Sequence, residues 1–251
     1  MEHLSIDNFI GKFFNMKCME LLESIPDSSV DLVVTSPPYN QKLNTYNKRA
    51  SGMHKTNNFL LKQKDAYFDD LPEEEYQQQQ IEVLNHLYRI IKPDGSIFYN
   101  HKNRIRESCV VTPWSWISKT KLKVRQEIIW DRGGSMTHNA RMFPPSDEKI
   151  FWLYKDSFRW YKVKSYMSVW KMTPNRNTGH VAPFPEDLPA RCVNATTQIG
   201  DVVFDPYSGS GTVCYVAAKM QRRWFGCDIN PDYCSSSTKR IAELDSQLNL
   251  L

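Results

Sequence analysis

Apolar residues along this chain alternate between short unbroken blocks and longer stretches where they recur every three or four positions. The blocks SVDLVVT (Ser29–Thr35), SIFYN (Ser96–Asn100), VRQEIIWD (Val124–Asp131), EKIFWLYK (Glu148–Lys155), DVVFD (Asp201–Asp205) and RRWFGCDI (Arg222–Ile229) predict strands. Helical spacing at Met19, Leu22 and Ile25 predicts a helix stopped by Pro26. A second helix is predicted from about Pro72, with Glu73, Glu74 and Glu75 at its positive end, to about Ile91. KPDG (Lys92–Gly95) then reads as a turn, and Arg106–Thr120 as a helix kinked at Pro113. Further helices are predicted over Glu186–Thr197, Thr212–Met220 and onward from Pro231. Strand and helix alternate, so the expected fold is α/β, a mostly parallel central sheet flanked by helices.

At 251 residues, 41% hydrophobic and 24% charged, the chain suits one large domain with insertions. A net charge of +4 leaves any affinity for a polyanion to local clustering. Such a cluster occurs between Gln41 and Lys64, where Lys42, Lys48, Arg49, Lys55, Lys62 and Lys64 stand among Asn, Tyr46 and His54 with no acidic residue. A phosphate-contacting flap and a solvated loop both fit that pattern. The six cysteines form no C-x-x-C pair and no zinc-ligand spacing, so no metal is expected and the thiols read as reduced. No apolar run approaches the ~18 residues that span a membrane, and the first residues lack a signal-peptide core, which points to the cytoplasm.

Chemistry concentrates after two of the predicted strands. DVVFD runs into PYSGSGT, where Gly209 and Gly211 allow a tight turn and close approach of a ligand to the backbone. Asp228, ending the next strand, is suited to accept hydrogen bonds from ribose hydroxyls. The spacing fits neither a serine-hydrolase elbow nor a Walker loop, and Cys214 occupies the third glycine position of a dinucleotide fingerprint. A nucleoside ligand without a pyrophosphate remains, alongside a plain ligand-free βα turn. The other strand, VDLVVT, ends in Ser36, Pro37, Pro38 and Tyr39.

TSPPYN and FDPYSGSGT together resemble the two signature motifs of S-adenosylmethionine-dependent DNA amino-methyltransferases, and their order resembles the permuted β class. IPDSSVDLVV, IKPDGSIFYN, EIIWDRGG and HVAPFPEDLPARCV are similar to further segments of that family. The resemblance implies a Rossmann-like fold in three parts. A catalytic half at 1–131 carries the basic loop 41–70, a target-recognition insertion follows at 132–180, and a cofactor-binding half occupies 181–251. It implies S-adenosylmethionine held by Phe184, Asp205, Pro206, Tyr207, Gly209, Gly211, Thr212 and Asp228. Double-stranded DNA is implied as substrate, a cognate restriction endonuclease as a partner, and a monomer or homodimer as the working state.

An exocyclic amino nitrogen delocalises its lone pair into the base and is a poor nucleophile. Acceptors for both its hydrogens, Ser36 Oγ and the Pro37 carbonyl, would turn that lone pair toward a sulfonium methyl, and Tyr39 would stack on the flipped base. By the same resemblance Ser36 favours cytosine N4 over adenine N6, because family members with Asp or Asn at that position commonly act on adenine. Lys17 stands where many relatives carry an acidic residue, so no acidic cofactor contact transfers to it. Lys42, Lys48, Arg49 and Lys55 are the expected backbone contacts, and Arg132, His138, Asn139, Arg141, Arg176 and Asn177 the expected recognition residues. Trp152, Trp160 and Trp170 are expected in the core, and His180 as a structural or pocket-lining residue. Methylation of RNA or of protein amides is the rival reaction. A catalytically silent DNA-binding chain is the rival from another class.

Overall fold

The computed structural model describes residues 5–41, 70–134, 142–161, 166–173 and 185–248. Along the chain lie β1 (Lys12–Asn15), α1 (Cys18–Ser24), β2 (Val30–Thr35), α2 (Glu73–Ile90), β3 (Ile91–His101), β4 (Arg104–Arg106), β5 (Cys109–Val111) and α3 (Trp114–Ile117). There follow β6 (Lys123–Asp131), β7 (Asp147–Tyr154), β8 (Val169–Lys171), α4 (Asp187–Thr196), β9 (Val202–Asp205), α5 (Thr212–Lys219), β10 (Arg223–Asp228) and α6 (Pro231–Leu248). Eight strands form one sheet in the order β1-β10-β9-β2-β3-β7-β6-β8. The run from β1 to β3 is parallel, and β7 enters antiparallel between β3 and β6.

Strand β2 is apolar almost throughout because helices cover both faces of the sheet. Val33 faces a core with Leu21, Leu22, Leu84, Leu87, Tyr99 and Phe204. Its neighbours Leu32 and Val34 face the opposite core, with Phe98, Trp152, Val193, Val203 and Val213. β2 lies beside β9, with Leu32 opposite Val203 and Val33 opposite Phe204. From this pair the chain crosses outward in opposite directions, β2 to β3 and β9 to β10, so a crevice opens beyond their carboxyl ends.

Several expectations change. The kinked helix over Arg106–Thr120 is instead the hairpin β4–β5 followed by the single turn α3. Glu107 and Ser108, at φ 49° and 65°, make its two-residue turn, and the β-branched Val110 and Val111 suit a strand better than a helix. KPDG does not separate helix from strand. β3 begins at Ile91 and carries the extra residues as a bulge, with Val30 opposite Ile91 and Leu32 opposite Ser96. The segment 132–180 supplies β7 and β8 to the central sheet, so it is not wholly an excursion from it. Trp152 and Trp170 are buried as expected, whereas Trp160 is 58% exposed and lies against Trp152. β1 went unread in the sequence; its short KFFN block forms a strand through pairing with β10.

Candidate active site

The two motifs meet in the crevice. Thr35, the last residue of β2, donates its hydroxyl hydrogen to Asp205 Oδ1 at 2.8 Å, joining the start of TSPPY to the start of DPYSGSG. The Tyr207 amide bonds the same oxygen at 3.0 Å. Burial pushes the Asp205 carboxyl up to about 7, with the nearby Asp228 adding to the shift. Asp228 Oδ2 accepts the Gly209 amide at 2.9 Å and Oδ1 the Asn230 amide at 2.8 Å. Burial raises its carboxyl too. Each oxygen keeps a second lone pair. Gly211 sits at φ 69°, and a Cβ there would come within 2.7 Å of the Ser237 side chain, so the turn into α5 requires glycine.

Among the described residues no Lys or Arg pairs with Asp205 or Asp228. A buried pair of carboxylates facing a glycine turn suits a ligand bearing positive charge and hydroxyls. Pro206 is buried and Tyr207 half-buried. The Thr212 hydroxyl lies 3.1 Å from that of Ser210 and accepts from Arg240 at 3.4 Å.

On the β2 side, Ser36 is half-buried and its Oγ lies 2.6 Å from the Tyr39 hydroxyl. Tyr39 donates to Glu148 Oε2 at 2.8 Å. Asn100 Nδ2 lies 2.6 Å from both the Tyr39 hydroxyl and Glu148 Oε2. The other Glu148 oxygen accepts from Arg132 at 2.6 Å. Asn100 stands near the end of β3 and Glu148 near the start of the antiparallel β7, so both reach the mouth of the crevice. Asn100 Oδ1 is buried with no hydrogen-bond partner among the described residues, a position that a ligand donor would satisfy. Burial beside the Glu148 carboxylate holds the Tyr39 phenol well above its ordinary range.

Beneath Tyr39 the floor is fixed. Its ring packs on His101 at 4.6 Å between centroids. The Tyr76 hydroxyl lies 2.7 Å from both the Pro38 carbonyl and His101 Nε2. Burial keeps His101 neutral, its imidazole pushed down to about 3. Asn40, at φ 52°, accepts the Leu71 amide at 2.7 Å and donates to the Leu71 carbonyl at 3.0 Å. Asn40 therefore pins together the two ends of the segment that holds the basic loop.

Of the sequence candidates, the structure brings Ser36, Pro37, Pro38, Tyr39, Asp205, Pro206, Tyr207, Gly209, Gly211, Thr212 and Asp228 to one crevice. Arg132, expected to read bases, has a different neighbour and is ion-paired to Glu148. Lys42, Lys48, Arg49, Lys55, His138, Arg141, Arg176 and Phe184 lie outside the described residues, as do Tyr46, His54, Asn139, Asn177 and His180. Glu148, Asn100 and Thr35 were not singled out from sequence. The one legible signal was an acid opening an otherwise apolar strand block at Glu148.

A parallel-sheet crevice with a glycine turn on one wall and a serine-proline-proline arm on the other defines a Rossmann-like group-transfer enzyme. The chain belongs to a family of DNA methylases, N6_N4_Mtase, matched over residues 30–239. It is 29% identical to the type II methyltransferase M.BglII of Bacillus subtilis, over 89% of this chain and 67% of that protein. It is 28% identical to the type II methyltransferase M.HpaI of Haemophilus parainfluenzae, over 92% of this chain and 73% of that one. Its fold matches PvuII DNA methyltransferase (cytosine-N4-specific) with a TM-score of 0.71 at 19% identity, covering 91% of this chain and 85% of that one. It also matches a putative DNA modification methylase from Thermus thermophilus complexed with S-adenosyl-L-methionine. There the TM-score is 0.67 at 22% identity, covering 92% and 93% of the two chains.

Proposed function

We propose that this DNA methylase transfers a methyl group from S-adenosylmethionine to the N4 amino group of a cytosine flipped out of duplex DNA. The observation that carries this reading is the Thr35 to Asp205 hydrogen bond, which sets the serine-proline-proline arm directly beside the glycine turn. Asp205, Asp228 and the glycine turn fit the cofactor, whose ammonium and sulfonium groups are cationic and whose ribose offers hydroxyl donors. When bound, it supplies the electrophilic methyl group.

The chain's own residues orient the nucleophile. Ser36 Oγ takes one amino hydrogen and the Pro37 carbonyl the other. The nitrogen loses its conjugation with the ring, and its lone pair is directed at the methyl carbon. The Pro38 carbonyl is already engaged by Tyr76 at 2.7 Å, which favours Pro37 over Pro38 as the acceptor. Tyr39 flanks the base with its ring while its hydroxyl points to the protein interior. The basic loop and the segment around residues 132–180 contact duplex DNA. The enzyme works in a reducing cytosol as a monomer or homodimer, alongside a cognate endonuclease. Two observations fit that setting: all six cysteines are free thiols, and no helix of the described residues is long and apolar enough to cross a membrane.

Cytosine N4 is preferred over adenine N6 on the neutral hydroxyl at position 36 and on the likeness to the PvuII enzyme. Mass spectrometry of nucleosides from DNA incubated with the protein and labelled cofactor tests both levels. N4-methylcytosine is the expected product. N6-methyladenine would change the base assignment, and label confined to RNA or protein would overturn the reading.

A further inference from the structure

We infer that Glu148, acting through Tyr39, is the positioning residue that turns the neutral Ser36 hydroxyl into an obligate hydrogen-bond acceptor. The inference rests on the amino-methyltransferase reading above. A serine hydroxyl is ambiguous, since it donates once and accepts twice. An amino group presenting hydrogens needs an acceptor, and a serine whose own hydrogen points at it would repel it.

The hydrogen-bond chain removes the ambiguity. Glu148 is ion-paired to Arg132 at 2.6 Å and its side chain is only 6% exposed, so it sits in the network as a carboxylate and can only accept. The single Tyr39 hydrogen is therefore spent on Glu148 Oε2 at 2.8 Å. Asn100 is oriented by the same charge. Its Nδ2 faces the carboxylate, because the reverse amide would set Oδ1 against Glu148. With its hydrogen committed, the Tyr39 oxygen is left as an acceptor for Ser36, 2.6 Å away. Ser36 must donate to Tyr39, and Oγ is left as an acceptor, with Asn100 Nδ2 3.5 Å from it and a lone pair for the substrate. Family members with an acid before the prolines hold that charge at the arm itself. Here the charge sits on β7 and reaches the arm through one phenol.

Substitution at both ends of the relay tests this. Glu148→Gln replaces an obligate acceptor with a group that also donates, which frees the Tyr39 hydrogen to turn toward Ser36. The expected result is a kcat lower by on the order of 10²-fold, with the cofactor Kd and KM for DNA little changed. Tyr39→Phe cuts the link while leaving the Glu148–Arg132 pair intact, and should lower kcat in the same direction. Adding Glu148→Gln to Tyr39→Phe should then cost little more. Ser36→Asp places a second carboxylate against Tyr39, competing with Glu148 for one hydrogen, and should be poorly active. Ser36→Asp combined with Glu148→Gln moves the charge to the arm and should exceed Ser36→Asp in kcat by at least about tenfold.

Wild-type kcat in Glu148→Gln or in Tyr39→Phe overturns the inference, as does a double variant no better than Ser36→Asp. Should Glu148→Gln fail to fold, Tyr39→Phe alone decides. A wild-type protein that leaves DNA unmethylated would instead defeat the functional reading.

Discussion

The paired strands β2 and β9 carry a buried acid at each end of the pair, Asp31 on β2 and Asp205 on β9, and the protein treats the two in opposite ways. At the lower end Asp31 is 1% exposed and meets Arg159 at 2.5 Å and Lys92 at 2.8 Å, and the Val202 amide closes on its second oxygen. At the upper end Asp205 is 2% exposed, bonded to a threonine hydroxyl and an amide, with no cationic partner among the described residues. Burying a carboxylate is costly in both places. The protein offsets that cost internally at Asp31. At Asp205 it leaves the cost standing, as a carboxyl raised to about 7, for a cationic ligand to offset. The lower end is therefore a structural clamp between β2, β9 and the segment after β7, and the upper end is the candidate site.

The largest expected effect is at the upper end. Ser36→Ala should lower kcat by about 10³-fold with Tm and cofactor affinity unchanged, measured by methyl incorporation and thermal melting. A loss of stability instead would break the comparison. Next, Asp31→Asn should cost about 2 kcal/mol of unfolding free energy by denaturant titration, because Lys92 loses its carboxylate and Arg159 keeps only Asp201 at 2.8 Å and Asp94 at 3.4 Å. The folded fraction should keep its methylation rate.

A pH series sharpens the contrast further. Asp205 has a folded value near 7 against an ordinary 3.8, so it takes up a proton on folding between those limits. Its contribution to stability is fully present below about 3.8 and is lost as pH rises through 7. Cofactor binding should run the other way. Affinity for S-adenosylmethionine should rise by up to about tenfold per pH unit approaching 7 and then level off, and Asp205→Asn should flatten the curve in calorimetric titrations. His101 opposes Asp205 in the free protein. Its folded value near 3 lies below its ordinary 6.5, so its contribution is lost as pH falls from 6.5 toward 3. The smallest effect is expected for Thr35→Val, which removes one hydrogen bond to Asp205. It should weaken cofactor binding a few fold while leaving kcat at saturation near wild type.

The sequence carried the long elements and the two motifs because their signals are local. The apolar block of β2, the glycines before α5 and Pro72 before α2 each act within a few residues of themselves. Most of the shortest elements were not legible, although the four-residue β9 was. β1, β8 and the hairpin β4–β5 have three or four residues per strand and become strands through the partners they pair with. Trp160 reads as core in a segment rich in aromatics, yet the loop carrying it leaves 58% of it exposed.

The site divides along the same line. Two candidate sets were readable from the sequence, Ser36 through Tyr39 on one strand end and Asp205 through Thr212 on another, because each set is contiguous. The tertiary structure alone decided that these two ends are neighbours, that Arg132 neutralises Glu148 rather than standing free, and that Glu148 reaches Ser36 through Tyr39. Thr35 and Asp205 stand 170 positions apart in the chain, and Tyr39 and Glu148 stand 109 apart. Hydrogen bonds depend on distance in space, and spacing along a sequence does not record it.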